Sequence, residues 1–520
     1  VLQTVCSNLA ELQRHGALDS GKTPIPQVVI DAMALVEAIG SRYLWVDALC
    51  IIQDSPDKSE QLQIMDLIYM RARLTIIAMA GENADCGLPG IMLDTRKQQP
   101  MEVIDGYTFM TGCPQLYVEE ESSPHFTRGW TYQEMMHSPR CLFVSSYQFH
   151  FRCNTNLLAE DCDGNMYQFL ADITAYSSLV SGDLEDFFIR YQQCVQNYTT
   201  RSLTYDHDVI NAISGILNEM SSRFQVTFHA AIPEKSMCRV LLWCPAESSK
   251  KRVWTSTPLL PSWSWVSWKG QITYEIWNGL YGSMYRPLLS ESIRIKCPGA
   301  TEFRNIQAVT DEEQGKQGCK GRECLISLDS YMGMSLKAAE MLGEGYADSS
   351  RGPNPNPQSN MDERLEINNL TVSLFCASTI RVGSLRLGET HLRELSGCSI
   401  VIPDEKISFL PIYDEENRLC GDFPKPSIPT MAADQIQHLR MVAINSSSKC
   451  PFEWFDPHLY PDMVDVGYGS WTNPFDVCEC ILRIMLIELH GDIAERVAVG
   501  QIHPKAWAKA SPTIELINPV

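Results

Sequence analysis

Two apolar runs near the amino terminus constrain the fold of this chain more than any other feature of its sequence. Residues 43–52 and 74–80 are almost continuously apolar, and a helical apolar stripe covers residues 59–72 between them. Strands that are buried on both faces have such a composition, and they favour a parallel sheet. The segment therefore predicts a strand–helix–strand unit with a right-handed crossover.

Further helices and strands are predicted up to about residue 150. Pro26 suits the first turn of a helix and Gly40 suits its end. The Asp105-Gly106 pair sits between alternating apolar residues, which is a strong signal for a hairpin. The predicted elements are a helix over 26–39, a hairpin over 101–109, a helix over 130–137 and strands over 141–144 and 147–151. Together these elements predict an α/β fold with a mostly parallel sheet and flanking helices.

The remainder of the chain changes character along its length. Residues 165–225 are mostly helical in pattern, and later apolar runs favour strands at 241–243, 262–268, 370–382 and 481–489. Gly, Ser, Pro and Asn dominate 343–364, a composition that cannot bury a core. The predicted organisation is an α/β domain over 1–155, a helical segment over 156–240, a β-rich region over 241–342 and 365–520, and a disordered loop over 343–364.

Composition excludes several classes of function. The formal net charge is −21, and so acidic a surface repels phosphate backbones, which excludes nucleic acid as a general partner. The 19 cysteines are scattered through apolar runs without the paired spacing of a zinc site, so no metal is predicted. No apolar run reaches the roughly 18 residues of a membrane helix. The common nucleotide-phosphate, zinc-protease and serine-hydrolase motifs are also absent, and no cofactor is predicted.

Asp47 is the first candidate for chemistry because it interrupts the apolar run at 43–52. An ionised carboxylate in a buried strand is costly unless it is paired or lies at the strand's carboxyl end. In open α/β sheets that end is where ligands bind. The alternative is that Asp47 accepts backbone N–H bonds and fixes a loop. Cys50 is predicted to be a buried thiol, and Gln53 and Asp54 to end the strand in a turn.

Glu134 is the second candidate. It lies four residues after Trp130, so the two side chains share one face of the predicted helix. A carboxyl group beside an indole ring can have a raised pKa or can hold a ribose. The structural alternative is a capping box in which Thr131 and Glu134 satisfy the first turn of the helix, with Arg128 as an ion-pair partner.

A third candidate is a run of tryptophans, Trp263, Trp265 and Trp268. Trp263 and Trp265 fall on one face of a predicted strand, where they could form an aromatic platform for a sugar or a base. A core strand is the favoured interpretation, because aromatic residues dominate protein cores.

Three blocks in the first 134 residues carry a resemblance to a known family. They are residues 43–54, 65–72 and 128–134, and in order and spacing they resemble the fungal heterokaryon-incompatibility (HET) domain. The residues that carry the motifs are Trp45, Asp47, Cys50, Gln53, Asp54, Tyr69, Arg128, Gly129, Trp130, Gln133 and Glu134. The resemblance covers about residues 1–155, and weaker similarity to long HET-domain proteins extends over most of the chain. The family usually opens with a strand that is not found here, so we expect an N-terminally incomplete domain.

The resemblance implies a TIR-like, flavodoxin-like sheet and a role in non-self recognition between fungal strains that leads to programmed cell death. The preferred hypothesis is a cytoplasmic signalling module that acts through protein partners, including self-assembly. The alternative is a TIR-like enzyme that cleaves NAD, with Glu134 or Asp47 as the catalytic carboxylate. A weaker alternative is a small-molecule binding protein that uses the β-rich region. Whether the chain is an enzyme is left open by its sequence.

Overall fold

The structure is a computed structural model of the 520-residue chain. It describes residues 2–19, 24–58, 61, 64–153, 156–161, 184–234, 237–246, 248–253, 260–274, 293–296, 304–305, 374–381, 385–387, 391–394, 406–424, 438–447, 481–502 and 504–517. The loop predicted over 343–364 lies outside these residues. Two compact units are present, one formed by Val1–Arg190 and Asn197–Met220, the other by Tyr191–Gln196 and Ser221–Val520.

The first unit contains short helices around a small sheet. Its described helices are α1 (Leu9–Leu12), α2 (Gln27–Ala38), α3 (Asp47–Cys50), α4 (Met65–Arg71), α5 (Leu116–Ser122), α6 (Gly129–His137), α7 (Leu184–Thr199) and α8 (Asn211–Phe224), and the last two are shared with the second unit. Its strands are β1 (Thr75–Ala78), β2 (Met101–Ile104), β3 (Tyr107–Met110), β4 (Arg140–Val144), β5 (Phe149–Cys153) and β6 (Leu157–Ala159). Short 3₁₀ helices cover Ala84–Cys86, Pro124–Thr127 and Asp206–Asp208.

Several predictions for this unit are confirmed. The stripe at 26–39 forms α2, which follows Pro26 and ends before Gly40 with a positive φ of 70°. The Asp105-Gly106 pair, with φ of 52° and 82°, connects the hairpin strands β2 and β3. The helix over 130–137 and the strands that follow it are α6, β4 and β5.

The sheet of the first unit is mixed, and the expectation of a mostly parallel sheet was wrong for it. Its strand order is β1-β4-β5-β6. β1 pairs parallel with β4, whereas β4 with β5 and β5 with β6 pair antiparallel. The two antiparallel pairs arise because short turns join β4, β5 and β6, and short connections cannot make the crossover that parallel strands require.

The predicted strand over 43–52 was wrong, and with it the first half of the strand–helix–strand unit. The chain forms the short helix α3 there instead. Thr4 holds this segment, since its amide donates to Ala48 O (2.9 Å) and its hydroxyl to Leu49 O (2.7 Å). The Gln53 amide in turn donates to Thr4 O (2.8 Å). Pairing with the amino-terminal segment thus replaces pairing with the sheet. The helix expected over 59–72 includes α4, which follows a turn at Ile64.

The second unit is β-rich, as predicted. Among the described residues its sheet has eleven strands, which are β13 (Ile293–Lys296), β14 (Arg304–Asn305), β15 (Leu374–Arg381), β16 (Arg386–Leu387), β17 (His391–Glu394), β18 (Lys406–Tyr413), β19 (Leu419–Pro424), β20 (Leu439–Ser447), β21 (Ile481–His490), β22 (Ile493–Ile502) and β23 (Thr513–Ile517). Neighbouring strands pair antiparallel. Buried side chains of these strands and of helix α10 (Pro504–Lys509), including Trp507, form the core.

Shorter elements precede this sheet. They are β7 (Phe228–His229), β8 (Ile232–Pro233), α9 (Met237–Val240), β9 (Cys244–Pro245), β10 (Lys250–Lys251), β11 (Trp268–Lys269) and β12 (Ile272–Thr273). The strand predicted at 241–243 was wrong, because these residues form the turn after α9. The strand predicted at 262–268 was also wrong, because a 3₁₀ helix covers Trp265–Ser267 and only its end continues into β11. None of the described helices combines the length and apolar character needed to cross a bilayer.

Candidate functional site

Residues from all three motif blocks meet in the first unit. The Trp45 ring packs edge-on against the Tyr69 ring, with centroids 5.7 Å apart and an interplanar angle of 78°. The Tyr69 hydroxyl interacts with the Glu134 carboxyl group, and the charges of Asp47 and Arg128 act on both. We call these five residues, Trp45, Asp47, Tyr69, Arg128 and Glu134, the motif cluster. Its first and last members, Trp45 and Glu134, are 89 residues apart in the sequence, so the fold assembles it.

Helix α6 positions Glu134 within the motif cluster. The first residue of α6 is held from outside, because the Gly129 amide donates to Ser202 O (2.7 Å). A Cβ atom at Gly129 would lie 2.5 Å from a methyl group of Leu203, so this close approach requires glycine. At the other end, the Ser138 hydroxyl donates to Glu134 O (2.7 Å). Both anchors fix the helix backbone from which Glu134 projects.

The capping box expected for Thr131 and Glu134 was wrong. Thr131 lies inside α6 rather than at its N-cap, and Arg128, the N-cap residue, makes no side-chain cap hydrogen bond. The Thr131 hydroxyl instead bonds to the carbonyl oxygens of His125 (2.6 Å) and Arg128 (2.8 Å). Glu134 is therefore not needed as a capping residue.

Glu134 has the electrostatics of a proton-exchanging group. The pKa of its carboxyl group is raised to about 7, chiefly by burial and in addition by the negative charge of Asp47. Arg128 and the hydrogen bond with Tyr69 act in the opposite direction. Burial is also the main cause of the raised pKa of Tyr69, and the charges of Glu134 and Asp47 raise that pKa further. The Tyr69 phenol therefore keeps its proton at neutral pH.

Asp47 and Arg128 form the exposed side of the motif cluster. The Asp47 carboxylate accepts the Ala48 amide (2.7 Å), as the loop-fixing alternative expected. The Gln53 side chain donates to Asp47 O (3.2 Å), which further orders this turn. Asp47 does not lie in a buried strand, so burial in a strand does not explain its presence.

The remaining motif residues have other surroundings. Cys50 is exposed, and the prediction of a buried thiol was wrong for it. Asp54 lies in the predicted turn, where it accepts the Cys6 amide (2.7 Å). Gln133 is buried and accepts the Gly215 amide (2.8 Å), whereas Trp130 is partly buried on the same helix as Glu134. Gln133 and Asp54 therefore act as connections between segments of the first unit.

The tryptophan run is part of the core of the second unit. Trp263 and Trp265 are fully buried and Trp268 is nearly so. The Trp265 indole donates to the Tyr191 hydroxyl (2.8 Å), and the Trp243 indole donates to Trp263 O (3.0 Å). The favoured core interpretation is confirmed in place of an exposed platform, although the strand that was expected to carry it is a 3₁₀ helix.

A cavity of about 380 Å³ in the first unit was not predicted from the sequence. It is lined by Glu120, Glu121, Phe126, Thr127, Tyr132, Met135, Met136, Arg152, Asn197, Thr200 and Arg201. Glu120 stands in a run of three glutamates, which is typical of a solvated helix face, so the sequence carries no signal for it. Within the described part of the chain, no group of acidic, His and Cys side chains could hold a metal ion.

The motif cluster can exchange protons at neutral pH. A carboxyl group whose pKa lies near 7 is present in both forms there and can give or accept a proton. Arg128 supplies positive charge beside it, and the rings of Trp45 and Tyr69 supply apolar surface, with an angle of 78° between the two rings.

The α/β unit and its motif cluster together define a class of domain. Comparison with known proteins identifies that class. Residues 5–134 match the family described as Heterokaryon incompatibility protein (HET), a span that includes every residue of the motif cluster. The chain is therefore a HET domain-containing protein. No curated protein and no solved structure is significantly similar to it.

Proposed function

We propose that this protein acts in fungal non-self recognition and signals towards programmed cell death. The HET match over residues 5–134 carries the proposal. The motif cluster supports it, because residues from separate blocks come together at a partly exposed place where a partner or ligand has access. The signalling step is assembly with protein partners, including other copies of this chain, in the cytoplasm.

The experiment is regulated expression of the full chain in a filamentous fungus, with cell death scored by dye uptake. Glu134→Gln and Asp47→Asn remove the charges of the motif cluster while keeping the side-chain size. Glu102→Gln, at an exposed position in β2, is the matched control. We expect death with the wild type and the control, and its loss with both cluster variants. Survival with the wild type, or equal death with all variants, contradicts the proposal.

Assembly has a separate measurement. Light scattering after size exclusion should show a larger species of the wild type than of Glu134→Gln at equal concentration. A monomer at every concentration would contradict the assembly step while leaving the death assay unaffected.

A second candidate function is cleavage of NAD by a TIR-like mechanism, and the Glu134 carboxyl group is the observation that favours it. In this reaction the C–N bond to nicotinamide breaks, and its electron pair leaves with the ring, which becomes neutral. The positive charge that develops on the ribose is stabilised by an ionised carboxylate. Water then supplies oxygen to the ribose carbon and releases a proton. Glu134 near neutral pH and Asp47 beside it are suited to this stabilisation.

Nicotinamide release by the purified full chain tests this candidate. Turnover should rise through about pH 7, because the ionised form of Glu134 is the active one. Glu134→Gln should lower the rate by about a hundredfold or more, and Glu102→Gln should leave it unchanged. Absence of turnover, also after forced oligomerisation, would remove this candidate and leave assembly as the proposed mechanism.

A further inference from the structure

The cavity lies beside a different face of α6 from the motif cluster. Tyr132, Met135 and Met136 of this helix line it, whereas Glu134 does not. Its rim is open to water, because Glu121 and Thr200 are exposed. Deeper in, its lining combines methionine and aromatic side chains with two guanidinium groups.

Arg152 is the deeper of the two arginines, with 9% of its surface exposed. One of its nitrogens donates to Met135 O (2.8 Å) and to the Cys141 sulfur (3.2 Å), and its guanidinium lies over the Phe143 ring. All of these partners are neutral. A buried arginine with neutral partners keeps an uncompensated positive charge, which is costly.

Arg201 repeats this arrangement on another wall of the cavity. Its guanidinium lies 4.8 Å from the Tyr132 ring centroid and 5.4 Å from that of Phe126. It donates to the Thr131 hydroxyl (3.2 Å), which is again a neutral partner. Across the described residues, neither Arg152 nor Arg201 forms a salt bridge with a carboxylate.

Glu120 is the carboxyl group in the cavity whose charge acts on both arginines, but burial raises its pKa to about 7. Arg152, Arg201 and His150 lower that pKa without cancelling the effect of burial. At neutral pH Glu120 is therefore only partly ionised, and the cavity interior keeps a net positive charge.

We propose that this cavity is a binding site for a small organic phosphate. The phosphate group would lie against Arg152 and Arg201, and the apolar part of the molecule against Met135 and Met136. A phosphate monoester carries a charge of about −1.5 to −2 at neutral pH, which matches two guanidinium groups better than the single charge of a carboxylate does. The site is independent of the motif cluster and of the function proposed for it.

Glu120 makes this site sensitive to pH. Its protonated form donates a hydrogen bond to a bound anion, and its ionised form repels the anion. The charged and titratable groups around it are Arg152 and His150 on β5, Arg201, and its neighbours Glu119 and Glu121. His150 Nε2 lies 3.2 Å from Glu119. Glu120→Gln should therefore strengthen binding at alkaline pH.

The test is calorimetric titration of the full chain with phenyl phosphate, benzoate and benzyl alcohol. Phenyl phosphate should bind saturably, benzoate more weakly and neutral benzyl alcohol not detectably. Thr200→Glu places a negative charge at the exposed rim and should weaken phenyl phosphate binding by about tenfold or more. Thr108→Glu makes the same change in the exposed hairpin strand β3 and should bind as the wild type does.

Arg152→Gln should also weaken binding by about tenfold or more, since the phosphate loses a hydrogen bond from a charged donor. If this variant does not fold, Thr200→Glu still decides the question, because it changes only the rim. Wild-type protein that gives no saturable heat overturns the proposal. Equal binding of benzyl alcohol, tighter binding of benzoate, or wild-type affinity of Thr200→Glu does so as well.

Discussion

Glu134→Gln should make the protein more stable in alkaline solution, although it removes a residue of the motif cluster. Burial and Asp47 raise the pKa of Glu134 from its ordinary 4.5 to about 7 in the folded chain. The folded chain therefore holds this proton more tightly than the unfolded chain does. The resulting stability is complete below about pH 4.5 and is lost as the pH rises through about 7. Glutamine is neutral throughout and avoids that loss.

The magnitude follows from the size of the pKa change. Each pKa unit corresponds to about 1.4 kcal/mol, so the rise from 4.5 to about 7 corresponds to about 3.5 kcal/mol at most. Glu134 is partly exposed, and water screens part of this energy. We compare the free energy of unfolding of Glu134→Gln with that of the wild type at each pH. This difference should shift in favour of the variant by about 1–2 kcal/mol from acid to alkaline solution.

Urea unfolding followed by far-ultraviolet circular dichroism measures this difference, at about pH 5.5 and about pH 8.5. Glu102→Gln is the control, since it makes the same change at an exposed position in β2. Glu120→Gln should behave like Glu134→Gln, because burial raises that pKa to about 7 as well. An effect of Glu134→Gln that is equal at both pH values, or that becomes more destabilising with rising pH, would refute the reasoning.

Three further substitutions test the packing of the two units. Gly215→Ala should lower the melting temperature and cost about 1–3 kcal/mol, because its Cβ would lie 2.7 Å from a histidine ring nitrogen. Asp31→Ala should cost about 1–3 kcal/mol in urea titrations, because the buried Leu88 amide loses its acceptor at 2.7 Å. Arg496→Lys should speed proteolysis of the second unit, because lysine cannot reproduce the planar group that lies 3.5 Å from the Trp243 ring centroid. Wild-type behaviour in any of these assays would contradict the corresponding argument.

Elements with their own local signals could be predicted from the sequence. Pro26 and Gly40 mark the ends of α2, and Asp105-Gly106 supplies the two positive φ angles of the β2–β3 turn. The helix face shared by Trp130 and Glu134 follows from their spacing alone. These signals involve residues within a few positions of each other, so no tertiary contact is needed to interpret them.

Elements that depend on distant contacts could not be predicted. The run at 43–52 has the composition of a buried strand, but Thr4 holds it by three hydrogen bonds as a turn and the helix α3. The strand directions in the first sheet depend on which strands pair, and periodicity does not determine that. In the tryptophan run, the predicted burial of Trp263 and Trp265 is confirmed. The predicted strand was wrong, because the backbone adopts a 3₁₀ helix over Trp265–Ser267.

The residues of the motif cluster and of the cavity also differ in whether the sequence could point to them. The apolar run around Asp47 and the helical spacing of Glu134 from Trp130 made both residues candidates, and the structure brings their charges to bear on each other. Glu120 and Arg152 had no such signal, because a cavity wall built from a helix and an antiparallel strand leaves no spacing pattern in the chain. The role that we propose for them in binding an anion follows only from their burial and from the neutral partners of Arg152.

We propose a functional explanation for Glu134 in preference to a structural one. Of the two structural explanations, the capping box is wrong, because Thr131 is committed to the carbonyl oxygens of His125 and Arg128, and the charge of Arg128 offsets the effect of burial only in part. Burial of Glu134 lowers stability as the pH rises, although Arg128 and the hydrogen bond with Tyr69 act in the opposite direction. Glutamine would fill the same space without that cost. A side chain that costs stability and whose pKa lies near the working pH is expected at a place where proton exchange or ligand binding is needed.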